Sequence, residues 1–181
     1  MSNEPPAEQW IGRVCVQQGA SLDPSALEQI VPLESFVASA AELALSPEGP
    51  GCTVRIVTED EVKSLNSQYR SRDKATNVLS FPSELSPELA ALLPHDSQMQ
   101  SLGDIALCLD VAVREAVEQG KAVRDHVLHL IVHGVLHLRG FDHITDAEAT
   151  TMEALEVQLL ATRGVANPYH DTRGQTPDSH G

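Results

Sequence analysis

Aromatic residues are scarce in this chain: one Trp, two Tyr and three Phe among 181 residues. A core of stacked rings is excluded, so any interior must be assembled from Leu, Val, Ile and Ala. Cysteine is scarce too. Cys15, Cys52 and Cys108 are odd in number and form no C-x-x-C pair. That excludes a disulfide framework and reads as buried thiols in a reducing cytoplasm. No apolar run reaches the roughly 18–20 residues of a membrane-spanning helix. The opening Met1-Ser2-Asn3-Glu4-Pro5-Pro6 has neither the basic nor the apolar region of a secretory leader. Positive charge is thin: 12 Lys+Arg stand against 26 Asp+Glu, a net −14. Such a chain is not expected to hold DNA or arbitrary RNA by charge alone, because phosphate binding is dominated by cations.

What the chain does have is the stretch His133-Gly134-Val135-Leu136-His137-Leu138-Arg139-Gly140-Phe141-Asp142-His143. The first two histidines are spaced i, i+4, which places both rings on one helix face. Gly140 suits a left-handed helix end, so the chain can turn there and bring His143 back toward the pair. Three neutral imidazoles with an open fourth position form a catalytic zinc site rather than a closed structural one. The apolar flanks Leu130, Ile131, Val135 and Leu138 make this a largely buried helix, and buried histidines need partners.

The rest of the chain reads as an α+β domain. The pattern predicts a loose arm over 1–9, a folded domain over 10–163 and a disordered tail over 164–181. Strands are expected at Ile11–Val16, Cys52–Val57, Asn77–Phe81 and Leu102–Leu109, making one mixed sheet of about four strands. Asp23-Pro24-Ser25 opens a short helix, and a second runs from Leu33 to about Leu45. Thr58 with Glu61, and Thr145 with Glu148, are capping boxes that start two more helices. Asp110 is read as the cap of a helix over Val111–Gln119, closed by Gly120. The histidine helix begins near Val123, buried in the middle. Residues 83–100, with two prolines, read as either a flexible loop or a loop with one weak helical turn.

The spacing H-x-x-x-H-x-x-x-x-x-H is that of the metzincin zinc peptidases, with one departure. Where those enzymes carry a glutamate general base, this chain has Gly134. Amide hydrolysis needs a base to take the water proton, so the motif supports the metal geometry and opposes peptidase activity. Gly134 costs roughly 1 kcal/mol of helix propensity against alanine. Either it leaves room for a bulky substrate group such as a phosphate, or it lets the helix pack closely on a strand. His129 is expected to pack or to support a ligand rather than to be one, and His126 to be exposed near the helix start. Asp142 either orients an imidazole or caps the turn. His95, His170 and His180 need no function.

Two long motifs resemble the YbeY family. Leu65-Asn66-Ser67-Gln68-Tyr69-Arg70-Ser71-Arg72-Asp73-Lys74-Ala75-Thr76-Asn77-Val78-Leu79-Ser80-Phe81-Pro82 is similar to its first signature. His129 through His143 is similar to its H-G-x-L-H-L-x-G-[YF]-D-H signature. Leu102-Gly103-Asp104-Ile105, Met152-Glu153-Ala154-Leu155-Glu156 and Asn167-Pro168-Tyr169 also look familial. The resemblance spans Cys52 to Tyr169. It departs at Ala75, where the family usually has proline, and at Phe141, where tyrosine is usual.

The resemblance implies a zinc-dependent, single-strand-specific endoribonuclease. Such proteins act in 3′-end maturation of the small-subunit ribosomal RNA and in ribosome quality control. It implies one Zn2+ held by His133, His137 and His143, with Arg70 as the functional arginine. Phosphodiester cleavage builds negative charge on non-bridging oxygens, which a guanidinium can clamp bidentately. Arg72 and Lys74 are weaker candidates for phosphate contacts. The acidity of the chain suggests that the ribosome or its proteins present the substrate. A non-catalytic assembly factor whose zinc holds the fold is the alternative, with a zinc peptidase behind it.

Overall fold

The computed structural model describes residues 7–19, 22, 24–84, 88–89, 92–94 and 101–169. Expectations for residues 1–6, Asp23, much of the 83–100 loop, the tail beyond 169, and His95, His170 and His180 lie outside them.

The described chain is an α+β domain with one mixed sheet. It runs β1 (Ala7–Ile11), β2 (Val14–Gln18), α1 (Pro24–Glu28), α2 (Leu33–Ala44), β3 (Gly51–Ile56), α3 (Glu59–Arg70), β4 (Val78–Pro82) and β5 (Ser101–Leu107). Three helices follow: α4 (Leu109–Gln119), α5 (Val123–Leu138) and α6 (Asp146–Ala161). The strand order is β1-β2-β3-β5-β4. The central pairs β2·β3 and β3·β5 are parallel, and the outer pairs β1·β2 and β4·β5 are antiparallel.

The sheet has five strands rather than four because Gly12 divides the expected first strand. Its φ of +60° opens a tight turn, and Ala7–Ile11 folds back on Val14–Gln18. Ala7, Glu8 and Gln9 therefore belong to the sheet and not to a loose arm. At the other end, Val165 packs against the core, so the folded body extends past 163.

Both capping boxes form. Thr58 Oγ1 accepts from the Glu61 backbone N–H at 3.2 Å, and the Glu61 carboxylate accepts from the Thr58 N–H at 3.0 Å. Thr145 and Glu148 repeat the arrangement. Asp110 does not cap α4. That helix begins two residues earlier, at Leu109 with Cys108 at the cap, and Asp110 sits in the first turn, where its charge complements the helix dipole.

The main core lies between α2, α5 and one sheet face. Ile56, Ile105, Leu107, Ile131 and Leu136 are fully buried in it. On the other face Val57, Val62, Leu79, Ala106, Cys108 and Val111 form a smaller cluster, against which Leu65 and Phe81 pack. The alternation of Ile105 and Leu107 with Ala106 between the two clusters is the period-two pattern of a strand covered on both sides. Helix α5 is sandwiched among sheet, α2, α4 and α6, which fixes the histidine helix in the interior. His126 is correspondingly 5% exposed, against the expectation of an exposed ring. It turns under α4 and meets Glu115 at 2.9 Å.

Candidate metal centre and its arginine

The last two turns of α5 carry His133 and His137 on one face. The helix ends at Leu138, and Gly140 takes φ +94°. That conformation, disfavoured for any residue with a Cβ, returns the chain so that His143 joins them. Ring centroids are 4.5 Å apart for His133 and His137, 5.1 Å for His137 and His143, and 5.9 Å for His133 and His143. One ring nitrogen from each lies within 4.8 Å of the others, a group that could hold a metal ion. The Asp142 carboxylate accepts from the His143 backbone N–H at 2.8 Å, so it caps the turn.

The protonation of the pair favours a cation. His133 Nδ1 donates to Glu156 Oε1 at 2.5 Å, which leaves Nε2 with its lone pair. His137 makes a hydrogen bond to the Phe141 backbone. Its pKa is lowered by burial and by its neighbours His133 and His143, which keeps the ring neutral, the form that binds metals. The two Nε2 atoms face one another at 3.0 Å. Two lone pairs at that distance repel unless a cation or a proton lies between them.

Glu156 has no role legible in the sequence, yet it stands behind the histidines. Helix α6 buries Met152, Glu156 and Leu160, a stripe at i, i+4, i+8 with a carboxylate at its centre. Burial would raise the pKa of Glu156, but hydrogen bonds from His129, His133 and Tyr169 bring it down to about 2. Its Oε2 receives His129 Nε2 at 3.1 Å and the Tyr169 hydroxyl. His129 thus supports the site through Glu156, as expected of a packed ring. His129, His133 and Glu156 form a second group within metal-binding reach. There Glu156 is fully buried and already accepts three donors, whereas His143 of the first group is exposed and leaves an open side.

Gly134 serves close packing. A Cβ there would meet Ile105 Cδ1 at 3.2 Å and Ser80 Oγ at 3.3 Å, and Ser80 Oγ donates to the Gly134 carbonyl at 2.9 Å. The glycine lets α5 press on β4 and β5. It does not open space for a substrate group, and any side chain there would press on Ile105 and Ser80.

Arg70 ends α3. The next residue, Ser71, is left-handed at φ +54°. Buried Asn66 pins the following loop by donating to the Lys74 carbonyl at 2.9 Å, and its own carbonyl accepts from the Arg72 N–H at 3.2 Å. This places Arg70 on the histidine cleft, a hollow of about 220 Å3 lined also by Asn77, Ser80, His129, His133, His137, His143 and Tyr169. Asp73, eligible on sequence to pair with Arg70, instead lies 3.8 Å from Lys63. Among the described residues Arg70 makes no ion pair. Arg72 and Lys74 are exposed and do not line the cleft. Asn77 was also missed. It donates to Glu115 at 2.9 Å, the carboxylate that holds His126, which ties the cleft wall to α4 and α5.

A family model described as Endoribonuclease YbeY matches residues 17–164. The match reaches back before Cys52, into β2, α1 and α2, where the sequence shows no motif. A protein of Halorhodospira halophila named Endoribonuclease YbeY is 53% identical over 123 residues, 68% of this chain and 77% of that one. One from Pseudomonas putida is 44% identical over 148 residues, 81% of this chain and 90% of its own. A Thermotoga maritima protein solved in solution aligns with a TM-score of 0.43 at 24% identity, covering 91% of this chain and 99% of that one. With the family model spanning most of its length and relatives above two-fifths identity, the chain belongs to the endoribonuclease YbeY family.

Proposed function

We propose that this protein is a metal-dependent endoribonuclease that cuts single-stranded RNA, acting in 3′-end maturation of the small-subunit ribosomal RNA and in ribosome quality control. The observation that carries the reading is one open cleft holding three convergent imidazoles and an arginine that, among the described residues, makes no ion pair. His133, His137 and His143 would hold one Zn2+; nickel suits the same donors. When bound, such an ion lowers the pKa of a water toward neutrality and polarises a phosphoryl oxygen.

The protein's own groups supply the rest. Arg70 clamps the non-bridging oxygens as charge builds on them. Glu156 keeps the His133 proton on Nδ1 and fixes the ring. Among the described residues no carboxylate lines the cleft, so the general base of a zinc peptidase has no occupant. A net charge of −14 makes indiscriminate RNA binding weak, so the ribosome or its proteins present the substrate; DNA is not a partner. No helix among the described residues is long and apolar enough to cross a membrane. The three free, buried cysteines suit a reducing cytoplasm.

The test is cleavage of a small-subunit rRNA precursor by wild type, Arg70→Glu and His133→Ala, with metal analysis of each. Arg70→Glu should retain metal and fold while losing about 10²–10³-fold in rate. His133→Ala should lose the metal. Equal cleavage by all three would defeat the reading. Unfolding on metal removal, with no cleavage by the loaded protein, would make the ion structural.

A further inference from the structure

We propose that Tyr69 is a stacking platform for a nucleobase of single-stranded RNA, next to the phosphate held by Arg70; the proposal rests on the nuclease reading above. Tyr69 is 61% exposed, in a chain that has only six aromatic rings of the Phe, Tyr and Trp type. An aromatic ring left in water adjacent to a functional arginine needs a reason. Its ring meets Phe81 edge-on, with centroids 5.2 Å apart and planes at 68°. That contact holds one edge of Tyr69, the favoured way for two rings to pack, and does not cover it.

Both rings line a long groove of about 970 Å3 on the sheet face opposite α2 and α5. This is the upper end of the roughly 300–1,000 Å3 range of ligand sites. The groove shares Arg70 and Ser80 with the histidine cleft, so a chain lying in one continues into the other.

The lining selects bases over backbone. Along the groove lie Gln17, Thr53, Arg55 and Asp104. Asp104 is the cross-strand partner of Thr53 and hydrogen-bonds to it, and Arg55 is paired with Glu61 at 3.3 Å. With the Gln17 amide N–H held by Glu8 at 2.7 Å, the Gln17 carbonyl, the Thr53 hydroxyl and the Asp104 carboxylate are left as acceptors for base-edge N–H groups, while Asp104 repels phosphate and the nearest arginine is already neutralised. Among the described residues, the cation of the groove that makes no ion pair is Arg70, at its junction with the cleft. A strand would therefore set its phosphate at Arg70 and turn the neighbouring base onto Tyr69. Bases in a duplex are stacked on one another and cannot reach the ring, which gives selectivity for single strands.

The experiment uses the metal-loaded full chain and a short, cleavage-resistant 2′-O-methyl RNA with one 2-aminopurine. Stacking on an aromatic ring quenches that base. Wild type should quench it, and Tyr69→Phe should do so with affinity within about twofold. Tyr69→Ala should lose the quench and about tenfold in affinity. Tyr69→Leu, which keeps apolar bulk against Phe81 without a π face, should also lose the quench. The same probe in a duplex should show none. On cleavable RNA, Tyr69→Ala should raise KM and leave kcat nearly unchanged.

Equal quenching and affinity in wild type and Tyr69→Ala would overturn the proposal. So would a loss in Tyr69→Phe as large as in Tyr69→Ala, which would assign the effect to the hydroxyl. If wild type cleaves RNA, Arg70→Glu does not, and Tyr69→Ala matches wild type in KM, the stacking site alone is refuted. If wild type neither binds nor cleaves RNA, both readings fail.

Discussion

Replacing Glu156 with glutamine keeps the shape of a fully buried side chain and removes its charge. The carboxylate offers two acceptor oxygens to three donors: His129, His133 and Tyr169. Glutamine offers one acceptor and two N–H donors. At least one of the three donors is then orphaned in the interior, at a cost of about 1–3 kcal/mol. The electrostatics give a similar size. A carboxyl held at about 2 rather than its ordinary 4.5 represents roughly 3 kcal/mol in favour of the folded state at neutral pH. The folded value lies below the unfolded one, so this stabilisation is complete above about pH 4.5 and is lost as pH falls toward 2. Glu156→Gln should therefore lower stability by about 2–3 kcal/mol at pH 7. Urea unfolding of chelator-treated protein by far-ultraviolet circular dichroism would measure it, and the gap to wild type should close as the medium is acidified. Metal affinity should fall about 10–100-fold, read by competition with a chromophoric chelator. A variant as stable as wild type at pH 7 with unchanged metal affinity would refute the reasoning. So would a gap that widens on acidification.

Gly134→Glu, which completes the peptidase motif in sequence, should give no peptidase activity and cost more than about 3 kcal/mol. The new side chain is driven against Ile105 and Ser80; thermal unfolding and digestion of an unstructured protein substrate check the two halves. Burial pushes the thiols of Cys15 and Cys52 up to about 11 and 12. Ellman's reagent at pH 8 should leave both unreacted in the native protein and modify them in guanidinium.

The histidine centre was legible because its information is local. The i, i+4 pair and the glycine turn are dictated by helix geometry and by φ at Gly140, and the structure brings His143 to the pair as that geometry requires. Glu156 was not legible for the opposite reason. Met152, Leu155, Leu159 and Leu160 read as the apolar face, and only the packing of α6 on α5 shows that the buried stripe through Met152 and Leu160 also takes in Glu156. A glutamate midway between two apolar residues at i−4 and i+4 was the available signal. His126 escaped similarly, since its partner Glu115 lies on α4, across a turn. Strand β1 escaped because four of its five residues are exposed, so it carries no alternation. Only Gly12, between two extended segments, marked the hairpin.

That hairpin also decides what the protein's intrinsic fluorescence can report. Trp10 is the sole tryptophan, and it sits on β1, 46% exposed. In the strand order, β1 and the β4 that borders the histidine cleft are opposite margins of the sheet. Tryptophan emission is thus a gauge of the outermost strand, blind to events at the cleft. A titration that leaves the emission unchanged carries no information about ligand arrival there. An early change on heating marks fraying of the margin rather than collapse of the core.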